Sequence, residues 1–454
     1  MDNRDIRETV NTSNGLFSRI RDHETDVSKL LFLIAGLYGV VSVSMHPPQW
    51  GAPVEMVQLA DNIAATGNFA NPFWILNTGP TAVSPPLYPF FLALLIKVLR
   101  NTTLVYTTAV IGVILANAIT AVLLPKLSRM FYGDMIPGII ASILWIAAMP
   151  LWPTWDASYT VAGILAFCLI TSGAPGKGER TIGRAAIGGV IAGLVCLLNP
   201  STLLITIPWI VFVSWKAEGS TSRRLQYCCT ILIVVALFLG AWGARNYRVL
   251  GGFVVRTNLG MTLYASNNDC AEASMFRNQL SGCFALHHPN ENLSEASLLM
   301  SLGEIRYDRQ KIADTARWIR NNPQRFSALT GQRFVSFWFP PVERLPSQLE
   351  LEKKGYSGPN PVAGWIAYRN RAAWVIRIVT CLSIPGLVLM LLRREAVVLY
   401  VLAALGIYPL LYYVVVADQR YRVPVLWLSL LPAGYFVYYL IELTQPLCAR
   451  ADSR

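Results

Sequence analysis

The sequence predicts an α-helical polytopic membrane protein: a bundle of about ten helices with a small mixed domain outside the bilayer. Three observations predict it. Hydrophobic residues make up 54% of the 454 positions and charged residues only 14%, where a soluble chain carries about 25% charged residues. Apolar runs near the ~20 residues needed to cross a hydrocarbon core recur along the chain. Lys and Arg gather in alternate short connections between those runs, which fixes an orientation. The net charge of +12 would suggest nucleic acid in a soluble chain. In so apolar a chain it marks cytoplasmic loops and a phosphate-bearing ligand, and nucleic acid is excluded as a partner.

In order, residues 1–28 are polar and charged and form a cytoplasmic segment without the apolar core of a cleaved signal. Spans are expected at 29–46, 103–125, 135–152, 157–173, 185–199, 200–215, 227–244, 373–392, 396–416 and 423–442. With the N-terminus inside, Arg4, Arg7, Arg19 and Arg21 fall on the cytoplasmic side. So do Lys126 and Arg129, Lys177, Arg180 and Arg184, Lys216, Arg223 and Arg224, Arg393 and Arg394, and Arg450 and Arg454. The outer connections 151–156 and 199–200 carry no basic residue, and only 418–422 breaks the trend, with Arg420 and Arg422.

This orientation requires 85–100 not to span. It is short, opens with Pro-Pro and ends in Lys97 and Arg100, which suits a helix lying in the interface. The catalytic module is then 29–244 with a first outer loop at 46–102. A soluble domain fills 245–372, the last spans occupy 373–443, and 444–454 is a cytoplasmic tail. Within the soluble domain, 252–265 is rich in β-branched residues and reads as strand. Residues 294–321 and 326–339 read as helices, with Asn321-Asn322-Pro323 between them. Cys270 and Cys283 share this polar segment on the oxidising side, with 12 residues between them, and are expected to form a disulfide.

No Walker loop, GxGxxG, GxSxG, HExxH or CxxC motif occurs. The chain has four His, so a His-based metal cluster is not expected, although the adjacent His287-His288 could contribute to one, and no ligand cluster emerges. The first outer loop holds two acids. Glu55 opens a short amphipathic helix, where a carboxylate is favoured by the helix dipole whether or not it is catalytic. Asp61 falls on a solvated face.

These residues carry a resemblance. Glu55-Met56, Leu59-Ala60, Asn62-Ile63, Gly67, Phe69 and Pro72-Phe73, followed by Gly79-Pro80-Thr81-Ala82 and Pro85-Pro86-Leu87-Tyr88-Pro89, resemble the first periplasmic loop of bacterial GT-C glycosyltransferases. These are the relatives of protein O-mannosyltransferases and lipid A aminoarabinose transferase. Trp242, Arg245-Asn246-Tyr247, Asn258, Gly260, Gly303-Glu304, Tyr307, Arg333-Phe334 and Arg420-Tyr421-Arg422-Val423-Pro424 extend the similarity along most of the chain.

The resemblance implies a GT-C-like bundle in a bacterial inner membrane, with its active site facing the periplasm or exterior. It implies a polyprenyl-phosphate-linked sugar donor, inversion at the anomeric carbon, and a glycan, lipid or protein acceptor. The catalytic acid of the family falls on Glu55. A second acid in the next outer loop falls on Asp156, for which capping the following helix is an equal alternative. Tyr88 is placed to position a sugar or to anchor at the interface. Arg245, Arg256, Arg420 and Arg422 are candidate phosphate binders. Ser84 stands where the aminoarabinose branch carries Lys before its Pro-Pro-Leu, which argues against that donor. Some members use a divalent ion, so a metal is left open. A transporter or lipid-linked glycan flippase is the alternative function. It is disfavoured because the spans are almost free of acids, whereas transporters keep ionisable groups at mid-span.

Overall fold

The computed structural model describes residues 20–45, 54–173, 181–216, 220–347 and 363–451. The expectations that rest on Arg4, Arg7, Arg19, Lys177, Arg180 and Arg454 lie outside the described residues. Every regular element among those described is helical. The bundle is built from α1 (Glu24–Met45), α4 (Thr102–Tyr132), α5 (Ile136–Ala148), α6 (Ala157–Ser172), α7 (Ile182–Leu198), α8 (Leu203–Trp215), α9 (Thr221–Leu250), α16 (Ala363–Leu392), α17 (Val397–Ile407) and α19 (Val423–Ala451). Five helices, α1, α4, α9, α16 and the 423–444 stretch of α19, are long and apolar enough to cross a membrane. Each of the other expected spans falls on a shorter apolar helix, the two at 185–215 meeting at a 3₁₀ turn, Pro200–Thr202. The chain is thus a multi-pass membrane protein.

Neighbouring helices follow the order α16, α19, α5, α4, α6, α7, α9, with α1 laid on α4. Small residues bring them together. A Cβ at Gly386 of α16 would lie 2.0 Å from the Pro432 carbonyl oxygen of α19, and one at Gly434 of α19 would lie 2.1 Å from that of Pro137 on α5. Backbone-to-backbone approach of this kind is how apolar helices gain packing in a solvent as apolar as themselves. Gly434→Val is therefore expected to forfeit the α19–α5 contact and to cost several degrees of thermal stability in detergent, read by tryptophan fluorescence.

The segment 85–100 forms α3 (Leu87–Leu99), packed on α2 (Glu55–Thr66). At 13 residues it is about 20 Å long, shorter than a hydrocarbon core of about 30 Å. Its apolar Phe90, Leu94 and Val98 are exposed, as an interfacial helix requires.

Outside the bundle lie α10 (Leu259–Ser266), α11 (Met275–Leu280), α12 (Cys283–His287), α13 (Leu293–Leu302), α14 (Glu304–Asn321) and α15 (Pro323–Trp338); a short α18 (Leu410–Tyr413) precedes the turn into α19. The strand expected in 252–265 is absent. Its second half is α10, and its β-branched half is an extended connection with no neighbouring strand to pair with. Thr257 N–H donates to the Ala82 carbonyl at 3.1 Å, one bond where a ladder needs several. The domain is helical, not mixed. The expected helices do form, broken at Gly303 (φ +75°) and at Asn322, with Pro323 opening α15.

Cys270 and Cys283 are bonded, with Cα atoms 5.6 Å apart. Closing a loop of this length contributes about 3 kcal/mol in the chain-entropy model. Cys270→Ser with Cys283→Ser is expected to speed proteolysis within the 270–292 region, followed by peptide mapping.

Candidate active site

The first outer loop is clamped at two points before it can present any side chain. Arg245, near the end of α9, donates from Nη1 to the Thr81 carbonyl (2.6 Å) and from Nη2 to the Phe69 carbonyl (2.8 Å). Its guanidinium also lies over the Phe69 and Trp242 rings. Glu304, the first residue of α14, accepts from Ala82 N–H at 2.9 Å and from the Thr257 hydroxyl. Burial raises the Glu304 carboxyl above its usual range against the bonds from Thr257, Ala82 and Thr81. Arg245 is therefore a fastener for the loop, with both terminal nitrogens bonded to loop carbonyls. Arg245→Met is expected to lower thermal stability by about 3 kcal/mol, the loss of two charge-assisted bonds, read as an earlier melting transition.

Held this way, the loop places Glu55 as the first residue of α2. The Glu55 side chain is 20% exposed and its Oε1 lies 3.4 Å from His288 Nε2. Sequence reading assigned His288 no role beyond a weak metal ligand. No local signal marks it, because it reaches Glu55 only through the path of the soluble domain. His288 is buried against Phe284 (ring centroids 4.5 Å, stacked) and Phe73 (5.9 Å, edge-on). Burial holds its imidazole below the usual histidine pKa, opposed by the charges of Glu55 and Glu295.

Three further elements converge on Glu55. Arg256, in the extended connection after α9, donates from Nε to the Val83 carbonyl at 2.8 Å. It is exposed yet within electrostatic reach of Glu55, Asp156, Tyr412 and Tyr421. Arg420, in the 3₁₀ turn Gln419–Tyr421, also lies within reach of Glu55. Its guanidinium sits 4.0 Å from the centre of the Trp155 ring. Asp418 receives Arg420 N–H (2.9 Å) and Arg369 Nη1 (3.3 Å). Burial alone would raise the Asp418 carboxyl, but these two arginines hold it below its usual range. The turn is thereby fixed and Arg420 aimed.

Asp156 is buried at the N-cap position of α6 but does not cap it. Its backbone is helical and its side chain accepts no cap bond; Oδ2 accepts instead from the Thr160 hydroxyl at 2.8 Å. Burial raises its carboxyl, against Thr160 and the charges of Arg256 and Arg420. The wall behind this group is aromatic. Tyr421 stacks on Tyr412 (4.6 Å), and Tyr412 OH donates to Ser201 Oγ at 2.9 Å.

Two sequence candidates fall elsewhere. Tyr88 is buried and donates its hydroxyl to the Pro153 carbonyl at 2.6 Å, so it braces the Asp156 loop from behind instead of facing a sugar. Arg422 is buried between Trp338 (4.0 Å) and Phe337 (5.1 Å) and donates to Ser429. It follows Tyr421 directly at the end of the 3₁₀ turn, and its side chain faces into the bundle, away from Glu55. Asp61 is exposed, as expected. The Trp50-Gly51 turn lies outside the described residues.

Among the described residues, one set of three metal-type donors lies within 4.8 Å of one another: Cys270, Cys283 and His287. Its two sulfurs are joined to each other and are not thiolate ligands. Glu55 and Asp156 form no such set, so these acids do not by themselves build a closed metal site. A cavity of about 670 Å³ lined by Glu24, Lys126, Arg129, Leu169 and Arg184 opens at the far end of α4, α6 and α7 and shares no residue with this group.

No family model and no curated protein matches the chain. Among solved structures, the archaeal oligosaccharyltransferase AglB from Archaeoglobus fulgidus, in complex with an inhibitory peptide and a dolichol-phosphate, matches with a TM-score of 0.51 and 12% identity. The match covers 96% of this chain and 52% of that one, so the chain spans about half the length of AglB. ArnT from Cupriavidus metallidurans matches in the apo state (TM-score 0.37, 13% identity, 91% of this chain, 78% of that one). It also matches bound to undecaprenyl phosphate (TM-score 0.36, 13% identity, 90% and 77%). The likeness to AglB over nearly the whole chain, with an all-helical bundle and its appended helical domain, gives this protein the GT-C fold.

Proposed function

We propose that this chain is a membrane glycosyltransferase that moves a sugar from a polyprenyl-phosphate carrier to an acceptor outside the cytoplasm, with inversion. One observation carries the reading: a carboxylate, Glu55, within reach of two guanidinium groups, Arg256 and Arg420, at one end of an apolar bundle. Acceptor activation needs a base within hydrogen-bond distance of the reacting hydroxyl or amine, and a departing phosphate needs fixed positive charge where its negative charge develops. The dolichol-phosphate bound to AglB supports a lipid-linked donor for a chain of this fold.

In this mechanism the acceptor oxygen or nitrogen attacks the anomeric carbon as the bond from that carbon to the phosphate oxygen breaks. The electron pair of the broken bond leaves with the polyprenyl phosphate, against Arg256 and Arg420. The acceptor proton passes to the Glu55 carboxylate. Attack opposite the leaving group inverts the anomeric centre. Asp156 and the tyrosine wall, with Tyr412 held by Ser201, orient Arg256 and the sugar. Mass spectrometry of envelope glycans from cells carrying wild-type or Glu55→Gln protein tests this: loss of one sugar addition supports it, and unchanged glycans oppose it.

The orientation has its own test. Cysteines placed at the exposed positions Ser222 and Ser281 are expected to label from opposite sides of the membrane, Ser222 from the cytoplasm. Labelling of both from one side overturns the topology.

A further inference from the structure

The group around Glu55 contains a histidine whose surroundings leave it one orientation and one tautomer. Asn290 N–H donates to His288 Nδ1 at 3.2 Å, so Nδ1 bears a lone pair and the proton of the neutral ring sits on Nε2. Nε2 is the nitrogen 3.4 Å from Glu55 Oε1. The ring cannot turn away, because Phe284 stacks on one side and Phe73 meets it edge-on. The peptide that carries it is also fixed. His288 follows α12 directly, and the first residue of α12, Cys283, is bonded to Cys270. Asn290 is tied in turn to the first outer loop, accepting Trp74 N–H on Oδ1 (3.2 Å) and Trp74 Nε1–H on its carbonyl (2.6 Å). The same loop residues that seat Glu55 therefore seat its partner.

We propose that His288 is the positioning residue for Glu55. Its Nε2–H binds the carboxylate and aims the free oxygen at the acceptor, and the Cys270–Cys283 disulfide and the Trp74–Asn290 bonds hold His288 in place. This rests on the reading of Glu55 as the base. The ring does not take the acceptor proton, since Nε2 is already protonated and Nδ1 is occupied by Asn290. It is a fixed donor, comparable to the groups that orient catalytic bases by binding their second atom. A polar contact in a buried aromatic cage holds direction better than one exposed to water.

Two measurements on the full chain in detergent test it, and the first needs no substrate. The chain has four histidines, so ¹⁵N-imidazole spectra resolve them individually, with His288→Phe assigning the signal of His288. The expected result is an Nε2–H tautomer for His288 at neutral pH whose Nε2 resonance moves on Glu55→Gln while those of the other three stay. An Nδ1–H tautomer, or no response to Glu55→Gln, overturns the proposal. The second is turnover of undecaprenyl-phosphate-linked hexoses and pentoses, supplied one at a time. His288→Phe keeps the aromatic cage and removes the donor; it is expected to lower kcat about 10- to 100-fold, the worth of one bond to a charged group, with KM for the donor little changed. His288→Gln restores an N–H and is expected to recover most of that loss. Wild-type kcat in His288→Phe, in a preparation where Glu55→Gln is inactive, overturns the positioning role and leaves the base assignment standing. Full activity of Glu55→Gln overturns the base assignment itself.

Discussion

Replacing Glu55 with Gln is expected to lower turnover by about 10²- to 10⁴-fold, the usual contribution of a positioned general base. Binding of undecaprenyl phosphate is expected to survive. The substitution keeps the shape of the side chain and its contact with His288, and removes only the ability to take a proton. Arg256 and Arg420 are untouched, so the anionic headgroup keeps its partners. Asp61→Asn, on the exposed face of the same helix, is expected to be near wild type, which separates a catalytic effect from a general disturbance of α2. If Asp156→Asn abolishes transfer while Glu55→Gln does not, the base is Asp156. Asp156 is buried and its carboxylate is bonded to the Thr160 hydroxyl, which leaves it less open to an acceptor than the part-exposed Glu55.

The second large effect is expected at the two arginines. Arg256→Gln and Arg420→Gln should each weaken undecaprenyl phosphate binding by about 10- to 100-fold, as expected for a lost bond to a charged oxygen. The double variant should lose most of the affinity. Arg420→Lys is not a neutral change here. The guanidinium plane lies on Trp155, and a lysine ammonium gives up both the stacking and the forked geometry. Arg422→Met should leave the affinity unchanged, because Arg422 is buried between Trp338 and Phe337 with two nitrogens, Nε and Nη1, unpartnered. Removing a poorly satisfied buried charge is often neutral for stability. Binding in detergent, followed by native mass spectrometry or tryptophan quenching, distinguishes these cases.

The bundle was legible because bilayer thickness and apolar composition constrain helices directly. The ten expected spans fall on apolar helices, and 85–100 forms a separate short helix packed on α2. The helices of the soluble domain were legible from their periodicity and from Pro323; the break at Gly303 was not read. The strand at 252–265 was misread because β-branched residues favour extended backbone whether or not a partner strand exists; the chain uses Val254, Val255 and Thr257 as a connection laid along the first loop.

Within the site, the resemblance named Glu55 and Asp156, and Arg256 and Arg420 stood among four candidate arginines; the fold sets both of these arginines within electrostatic reach of both acids. The break in the positive-inside trend favoured Arg420 and Arg422 together and could not separate the two. Arg245 and Arg422 have the same chemistry as Arg256 and Arg420, and only tertiary contacts show that one fastens the Phe69 and Thr81 carbonyls and the other faces into the bundle. Tyr88 illustrates the same limit: a phenol beside an acid-bearing loop reads as a sugar contact until its hydroxyl is found on Pro153. His288 was missed for the opposite reason. It is 233 positions from Glu55 in sequence, and nothing local marks a histidine that matters only through the residue it faces. Glu304, which holds the loop from the soluble side, lay within the recognised Gly303-Glu304 block without a role that spacing alone could assign.

In the proposed function, Glu55 and the two arginines make this chain a transferase acting on a lipid-linked sugar. The most direct test is to incubate purified protein in nanodiscs with undecaprenyl-phosphate-linked hexoses and pentoses, in the presence of an envelope extract as acceptor. Free undecaprenyl phosphate and the anomeric configuration of the product are then measured. The account predicts that at least one donor is consumed, that undecaprenyl phosphate accumulates in step with an inverted glycoside, and that Glu55→Gln and the Arg256→Gln, Arg420→Gln double variant abolish both. A product with retained configuration, or donor consumption that is equal in wild type and Glu55→Gln, would contradict it.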